Sequence, residues 1–366
     1  KAVAHAYQQA GYQVMGTSFQ GKAVDIMEQE VGIPCKTLDS FMHGWNKHQA
    51  QKDLVESGKL WGRPYHYAFN KMKELEQQRL TSNNVILVDE ANMIGGRLWE
   101  PFLEEAASCG AKVLIIQDPA QIKSREPGDY GRLFAERFKF CETNTVVRQR
   151  IPWQRECSTL LNDYQILEGL KPYYDQGHFK WCEGVSQVHH ALAQDYVKDL
   201  MENPQGTRIA LAYKNTEVYD INQAIRQVLK EQGYLKESFT IHGDEYAIGD
   251  RIRFTQNDNH GQYIHNINES SFPLSLVPWK TQAQKQGVKN GSFGTIESFD
   301  ERRGLLTVVL EDKRSIESLR RLHFNIDEYP HITHGYTMGI HKSEASTFDK
   351  SLVSLDPLMD PATLLV

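Results

Sequence analysis

The amino-acid sequence predicts an α/β protein with two parallel-sheet domains and a small β-barrel inserted in the second. In the first domain, apolar strands alternate with helical patterns between residues 11 and 145, which is typical of a parallel sheet covered on both faces. The same alternation returns at residues 208–213 and 335–355. Between them, residues 245–330 contain short alternating strands and turn signals, which indicate a small antiparallel unit. A length of 366 residues suits two or three domains.

The first predicted domain covers residues 1–145. A helix over residues 2–10 is expected to end at Gly11, because glycine favours helix C-termini. The sequence then predicts, in order, a strand in YQVMGTS, a helix in GKAVDIMEQEVG, a strand in VILVD, a helix in LWEPFLEEAASCG, a strand in KVLIIQD and a helix in YGRLFAERF.

The second predicted domain covers residues 146–244 and 331–366, and the β-barrel insertion covers residues 245–330. A helical stretch runs to about residue 202, and RIALAY predicts the next strand. The following helix carries four apolar residues on one face, as its spacing shows: Val218, Ile221, Ile225 and Leu229. Turns in the insertion are predicted at Asn290-Gly291 and Arg303-Gly304.

Composition excludes several classes of protein. The net charge is −6, so any nucleic-acid contact must be local rather than spread over the surface. No apolar stretch reaches the length of a membrane span. The five cysteines are scattered and never form a CxxC pair, which favours reduced thiols over disulfides or zinc. We therefore expect a cytoplasmic protein without membrane insertion.

The two ends of the sequence predict an internal fragment of a longer protein. The chain begins at Lys1 without an initiator Met, and it carries no export leader. Its last residues, DPATLLV, end on an apolar run that is typical of the first half of a buried strand.

Two adjacent carboxylates, Asp89 and Glu90, follow the apolar strand VILV. An Asp at the carboxyl end of a parallel strand faces the crevice in which α/β sheets bind ligands. There it can hold Mg²⁺ through water, and the adjacent Glu can orient an attacking water at a γ-phosphate. The alternative is that both acids cap the following helix, since carboxylates stabilise helix N-termini.

A second apolar strand, VLIIQDPAQI, also ends on an acid, at Asp118. Gln121 follows it, and a neutral amide can sense a terminal phosphate without competing for a metal. The alternative is an ordinary turn at Asp118-Pro119. The two strand ends together favour phosphate chemistry.

Six segments in this order resemble the helicase motifs of superfamily 1B, from about residue 11 to the end. They are ILVDEANMI, QDPAQIKSREPG, VVRQRIPWQRECS, GDRIRFTQND, GVKNGSFGTIE and HGYTMGIHKSEAST. Their order and spacing are similar to the helicase half of TraA-type conjugative relaxase–helicases, with RecD-like helicases as more distant relatives. The resemblance implies two RecA-like domains with an SH3-like β-barrel, ATP between the α/β domains and single-stranded DNA across their tops. It further implies ATP-dependent 5′-to-3′ DNA unwinding by a P-loop NTPase that serves conjugation and plasmid transfer. The conjugative transfer machinery is the partner that the resemblance implies.

The resemblance also implies roles at the nucleotide. Asp89 would bind ATP-associated Mg²⁺ through water, and Glu90 would be the catalytic base. Asp118 would lie beside the nucleotide, and Gln121 would connect the γ-phosphate to the DNA-contacting face. Arg148 would be an arginine finger, because a planar cation suits the charge that develops on the phosphoryl group.

Without the resemblance, the preferred interpretation of Arg148 is a basic surface cluster with Arg150 and Arg155. DNA contacts are implied by hydroxyl, imidazole and ammonium groups that can bind phosphates. These candidates are Thr17, Ser18, Lys22, Thr37, Ser40, Thr337, His341, Lys342 and Ser343. For any single residue among Thr17, Ser18, Lys22, Thr37 and Ser40, ordinary loop chemistry is the preferred interpretation.

The sequence departs from the family pattern in several places. The phosphate-binding loop GxxxxGK[ST] is absent, as is the motif VI that carries a second arginine. Gln117 stands where the family usually has Gly, and Glu344-Ala345 stand where Gln-Gly is usual. We therefore expect the isolated chain to lack ATPase activity. The alternatives are a RecD-like, exonuclease-associated helicase and a single-strand-binding remnant that hydrolyses nothing.

Overall fold

The computed structural model divides the chain into two compact units, residues 1–164 and residues from 165 onward. It describes residues 1–77, 79–118, 124, 126, 130–143, 149, 151–258, 264–266, 288–311, 320–343, 346–360 and 363. The predicted buried strand at the C-terminal DPATLLV lies almost entirely outside these residues. In the described part of the chain, no helix is long and apolar enough to cross a membrane.

The first unit places helices around one sheet. Its helices are α1 (Ala2–Gln9), α2 (Gly21–Val31), α3 (Leu38–Glu56), α4 (Gly62–Glu76), α5 (Gly96–Cys109), α6 (Tyr130–Arg137) and α7 (Pro152–Asn162), with a 3-10 turn at Ala91–Met93. Its strands are β1 (Gln13–Ser18), β2 (Cys35–Thr37), β3 (Asn84–Asp89) and β4 (Lys112–Ile115).

The sheet of the first unit is parallel throughout, with strand order β2-β1-β3-β4. Its middle strand β3 buries side chains on both faces: Ile86 and Val88 pack with Trp99 and Phe102, whereas Val85 belongs to the cluster on the other face. A strand with two buried faces is apolar without interruption, which explains VILV. The α/β prediction is confirmed here, although β4 ends at Ile115 and is shorter than predicted.

Close packing of β1 against its neighbours requires a glycine at position 16. A Cβ atom on Gly16 would lie 2.3 Å from Met27 Sδ and 2.4 Å from Cys35 Sγ. The thiol of Cys35 is half-buried here, and burial together with the charge of Glu28 raises its pKa to about 11. Cys35 therefore acts as a small apolar side chain rather than as a nucleophile.

Cys35 is expected to resist alkylation at neutral pH. A thiol pKa raised from 9.0 to about 11 lowers the thiolate fraction by about a hundredfold, and the thiolate is the reactive form. Iodoacetamide labelling followed by peptide mass spectrometry should show Cys35 reacting slowly at pH 7.5 and faster as the pH approaches 11. The exposed Cys141 is the internal reference. Equal labelling of both thiols at pH 7.5 would contradict this packing.

In the described part of the second unit there are one parallel sheet, one six-stranded antiparallel sheet and one two-stranded antiparallel sheet, which pairs residues 238–241 with residues 244–247. Its helices are α8 (Ile166–Asp175), α9 (Val185–Glu202), α10 (Asn215–Glu231) and α11 (Ile340–Ser343). Its strands are β5 (Arg208–Ala212), β6 (Ser238–Ile241), β7 (Asp244–Ala247), β8 (Arg251–Phe254), β9 (His265–Asn266), β10 (Phe293–Asp300), β11 (Leu305–Leu310), β12 (Arg321–Asn325), β13 (Ile332–His334), β14 (Thr337–Gly339) and β15 (Lys350–Val353).

The parallel sheet has the order β14-β5-β15, so the chain returns to the first part of this domain after the antiparallel segment. Helix α10 covers it with Ile221, Ile225 and Leu229 buried, as the periodicity predicts. The antiparallel sheet has the order β13-β8-β10-β11-β12-β9. No pairing within the described residues joins its two edge strands, so closure into an SH3-like barrel stays a prediction.

Buried charges connect the parallel sheet and the six-stranded antiparallel sheet of the second unit. Asp250 accepts hydrogen bonds from Arg226 Nε at 3.0 Å, from the Tyr336 hydroxyl at 2.8 Å and from the Ala247 N–H at 2.7 Å. The next residue, Arg251, pairs with Glu311 through two bonds of 2.6 and 2.7 Å. It also donates to the Gly335 and Arg208 carbonyls at 2.7 and 3.0 Å. The start of the antiparallel sheet is therefore fixed to β5 and to the chain entering β14.

Candidate functional site

The carboxyl edge of the first sheet brings together residues that are far apart in sequence. Ser18, the last residue of β1, pairs in register with Asp89 on one side and with Thr37 on the other. Because parallel strands end at the same edge, this is the crevice position at which α/β sheets bind ligands. The structure thus groups one carboxylate and two hydroxyl residues predicted to act in the site.

Asp89 lies partly buried at this edge. Burial raises the pKa of its carboxyl, whereas a hydrogen bond from the Glu90 backbone N–H opposes the shift. The nearby charge of Glu30 raises the pKa further. Burial of a carboxylate is costly unless a cation or donors compensate it, so the position favours a bound cation.

Glu90 adopts a left-handed backbone conformation, with φ 51° and ψ 45°. This conformation is uncommon for residues other than glycine and costs about 1–3 kcal/mol. It ends β3 abruptly and starts the 3-10 turn, where the Met93 N–H donates to the Glu90 carbonyl at 3.1 Å. Strain of this kind concentrates at functional sites.

The interpretation of the two acids as helix caps is not supported. The side chain of Glu90 makes no capping hydrogen bond to the described residues of the 3-10 turn. The next helix, α5, has Gly95 as its N-cap residue and no acidic residue in its first turn. Within the described residues, Glu90 therefore occupies the N-cap position of the 3-10 turn without a capping bond from its side chain, and neither acid caps α5.

Two amide side chains anchor the second strand end, one to the turn after β3 and one to α6. Asn92 donates from its side chain to the Asp118 carbonyl, and its own carbonyl accepts from the Ser124 N–H at 2.8 Å. Gln117 donates to the Gly131 carbonyl at 2.8 Å. A Cβ on Gly131 would lie 2.6 Å from Asn92 Oδ1, so this approach needs glycine. Asn92 was not among the predicted site residues, although this residue stands in the motif DEANM, shortly after the two acids.

Gln117, which stands where the family usually has Gly, has only one end of its side-chain amide hydrogen-bonded to the described residues. Its amide nitrogen is bonded to α6, but its Oε1 is buried without a hydrogen-bond partner in the described part of the chain. Gln121, Arg148 and the Glu344-Ala345 departure lie outside the described residues, so their predicted roles stay predictions.

The DNA-contact candidates of the first unit fall into two groups. Thr17 and Ser18 are fully buried, and their hydroxyls have no partner among the residues that the structure describes. Thr37 is the N-cap of α3, where its hydroxyl accepts the Ser40 N–H at 3.3 Å. Ser40 is exposed, and Lys22 is partly exposed in the first turn of α2. The outer group therefore reaches solvent, whereas the first two hydroxyls lie beneath it.

In the second unit the candidates gather where β14 runs into α11. Thr337 is buried, and its N–H donates to Asn222 Oδ1 at 2.9 Å. The ring of His341 lies 6.1 Å from that of Tyr213, and Lys342 is exposed. Ser343 is buried and donates its hydroxyl hydrogen to the Ile340 carbonyl at 2.6 Å. His341 and Lys342 are thus the accessible members of the group.

Comparison with known proteins gives the class of the chain. A family model described as an AAA domain matches residues 1–184, which is half of the sequence. The chain therefore belongs to the AAA domain family. The matched region contains the whole carboxyl edge of the first sheet, with Asp89 and Glu90.

Similar curated proteins cover almost the entire chain. It is 26% identical over 355 residues to the probable conjugal transfer protein TraA of Sinorhizobium fredii (strain NBRC 101917 / NGR234), covering 96% of this chain and 27% of that protein. It is 27% identical over 351 residues to the conjugal transfer protein TraA of Rhizobium radiobacter, with the same coverage. The resemblance to TraA-type proteins is confirmed. The chain spans about a quarter of the length of these relatives.

Solved structures of Pif1 helicases are also similar. One is Bacteroides Pif1 bound to ssDNA, with a TM-score of 0.48 and 13% identity, covering 99% of this chain and 81% of that one. Another is Pif1 helicase from Candida albicans, with a TM-score of 0.49 and 12% identity, covering 99% of this chain and 90% of that one.

Proposed function

We propose that this chain is the ATP-dependent 5′-to-3′ single-strand DNA translocase or helicase segment of a conjugative transfer relaxase. The observation that carries the proposal is the strained turn at Glu90, beside a partly buried Asp89, at the carboxyl end of β3. The side chain of Glu90 makes no capping hydrogen bond to the described residues of the 3-10 turn, and phosphoryl-transfer enzymes of this fold class need a metal-binding and a water-orienting group at this position.

The residues at the edge suit a nucleotide with Mg²⁺. Asp89 would hold the ion through water, since carboxylate oxygen is a preferred ligand, and the cation would offset the cost of burying the carboxylate. Magnesium would neutralise charge on the β- and γ-phosphates. Glu90 would accept a proton from an attacking water. Gln121 and Arg148 would complete the site as sensor and finger.

Single-stranded DNA is the proposed polymer substrate. The accessible candidates Lys22, Ser40, His341 and Lys342 carry donors that bind phosphates. Thr17, Ser18 and Thr37 lie at the strand ends of the first sheet, whereas Thr337 and Ser343 lie in β14 and α11 of the second unit. All five are proposed to support these contacts. Such contacts read the backbone rather than the bases, so binding should tolerate sequence. A cytoplasmic location follows from this substrate.

The similarity to TraA over 96% of the chain favours the conjugative function over an exonuclease-associated RecD-like one. The test is unwinding by the complete protein that carries this chain. Duplexes with a single-stranded 5′ tail should be unwound with ATP, whereas duplexes with only a 3′ tail should not. Unwinding from 3′ tails would exclude the proposed polarity. ATP-independent strand binding without turnover would favour the remnant.

A further inference from the structure

A helical hairpin projects from the first unit and carries features that the nucleotide site does not use. It consists of α3, α4 and the turn between them. Trp45 of α3 stacks on Phe102 of α5, with ring centroids 6.0 Å apart and an interplanar angle of 13°. Beyond His48, the two helices and their turn bury only Ala68. With 19 residues in α3, the far end of the hairpin lies about 28 Å from Thr37 at a rise of 1.5 Å per residue.

The far end of this hairpin exposes large aromatic side chains. Trp61, at the N-terminus of α4, has 86% of its surface exposed, and Tyr67 has 72% exposed. Single exposed apolar residues are common. A largely exposed indole six residues from a largely exposed phenol is less common than a single exposed apolar residue, because aromatic side chains gain much from burial.

The charge of the same segment is wholly positive. Residues 57–73 contain Lys59, Arg63, Lys71 and Lys73 and no Asp or Glu, within a chain that has 47 acidic and 41 basic residues. Lys71 pairs with Glu74 at 2.8 Å and Lys73 lies 4.7 Å over the Phe69 ring. Lys59 and Arg63 are exposed and form no ion pair with the described residues.

We infer that the turn and first part of α4, residues 57–67, bind an unpaired DNA strand by base stacking. Trp61 and Tyr67 present ring faces on which bases stack, and Lys59 and Arg63 lie beside them to contact phosphates. A solvated basic face would need no aromatics, and an apolar protein contact would not need an acid-free stretch. The inference deepens the proposed function, because it adds base contacts to the strand on which the chain would act.

The test measures binding of a fluorescent oligothymidine of about 20 nucleotides to the 366-residue chain without nucleotide. Trp61→Ala and Tyr67→Ala should each weaken binding by about five- to a hundredfold, the range for one lost base stack. Trp61→Phe should restore most of the affinity, since a ring face remains. Lys59→Gln and Arg63→Gln should each reduce the slope of log K against log salt by about 0.7.

Trp181→Ala is the matched control, because Trp181 is 83% exposed in the second unit and has no acid-free basic segment around it. It should bind the oligothymidine as the unmodified chain does. Unchanged affinity in Trp61→Ala and Tyr67→Ala would overturn the inference. The inference would also be overturned if a blunt duplex bound equally well and lost the same affinity in Trp61→Ala and Tyr67→Ala. Equally strong competition by polyglutamate would overturn it too, since neither competitor offers unpaired bases. Because no ATP is present, these outcomes are independent of whether the chain belongs to a working helicase.

Discussion

Glu90→Gln in the complete protein is expected to abolish ATP hydrolysis while ATP binding remains largely intact. The change removes the proposed base, and a positioned base contributes about 10²–10⁴ in rate. Glutamine keeps the size of the side chain and leaves Asp89 in place, so the metal and nucleotide contacts should survive. DNA-stimulated phosphate release measures the rate, and a fluorescent ATP analogue measures binding.

Glu100→Gln is the control for that experiment. Glu100 is an exposed acid on α5, close to the site in sequence but outside the carboxyl edge. Its replacement should leave hydrolysis unchanged. Hydrolysis by Glu90→Gln at the wild-type rate would show that the left-handed turn has a purely structural role.

Asp250→Ala is expected to cost about 3–5 kcal/mol in the free energy of unfolding of the second unit, because it removes the hydrogen-bonded partner of a buried cation and leaves Arg226 only the exposed Glu245, 3.7 Å away, as a counter-charge. Arg226 and Asp250 are both almost completely inaccessible to solvent. The carboxylate also accepts from Tyr336 and from the Ala247 N–H, so both donors would lose their bonds. Chemical denaturation followed by circular dichroism gives the change.

Two further variants separate the parts of this effect. Tyr336→Phe removes two hydrogen bonds, the one to Asp250 and the one from the Arg251 N–H, and should cost about 1–3 kcal/mol. Asp244→Ala removes an exposed carboxylate of β7 and should stay within about 0.5 kcal/mol. A loss in Asp250→Ala no larger than that in Asp244→Ala would mean that the buried pair does not stabilise the unit.

The parallel strands and their order of appearance could be predicted because burial on both faces writes a continuous apolar run. VILV and RIALA are examples of such runs. Helix α10 could be predicted for a different reason, since the spacing of its apolar residues fixes its buried face. The end of β4 was not predictable, since Ile116 is as apolar as the residues before it and still forms hydrogen bonds with Val88 and Ala91, at 2.8 and 3.2 Å.

The candidate site was predictable in its position but not in its geometry. An acid after an apolar strand indicates the carboxyl edge, yet nothing local marks Glu90 as left-handed, because residues with Cβ atoms reach that conformation only under tertiary constraint. Burial of Thr17 and Ser18 likewise depends on neighbouring strands. The Asp250 network joins residues 24 and 86 positions apart, which no periodicity connects.

The buried bonds of Asp250 and Arg251 have a consequence for how the second unit opens. Two consecutive residues hold the first antiparallel strand to α10, to the chain before β14 and to the carbonyl of Arg208 in β5. Opening the antiparallel sheet alone would break the buried bonds of Asp250 and Arg251. The free energy of such a local opening should therefore be nearly that of global unfolding. In hydrogen–deuterium exchange, the amides of Ala247 and Gly335 should therefore exchange as slowly as those in the middle of α10. The antiparallel insertion and the parallel sheet would then behave as one cooperative unit rather than as a module attached to a scaffold.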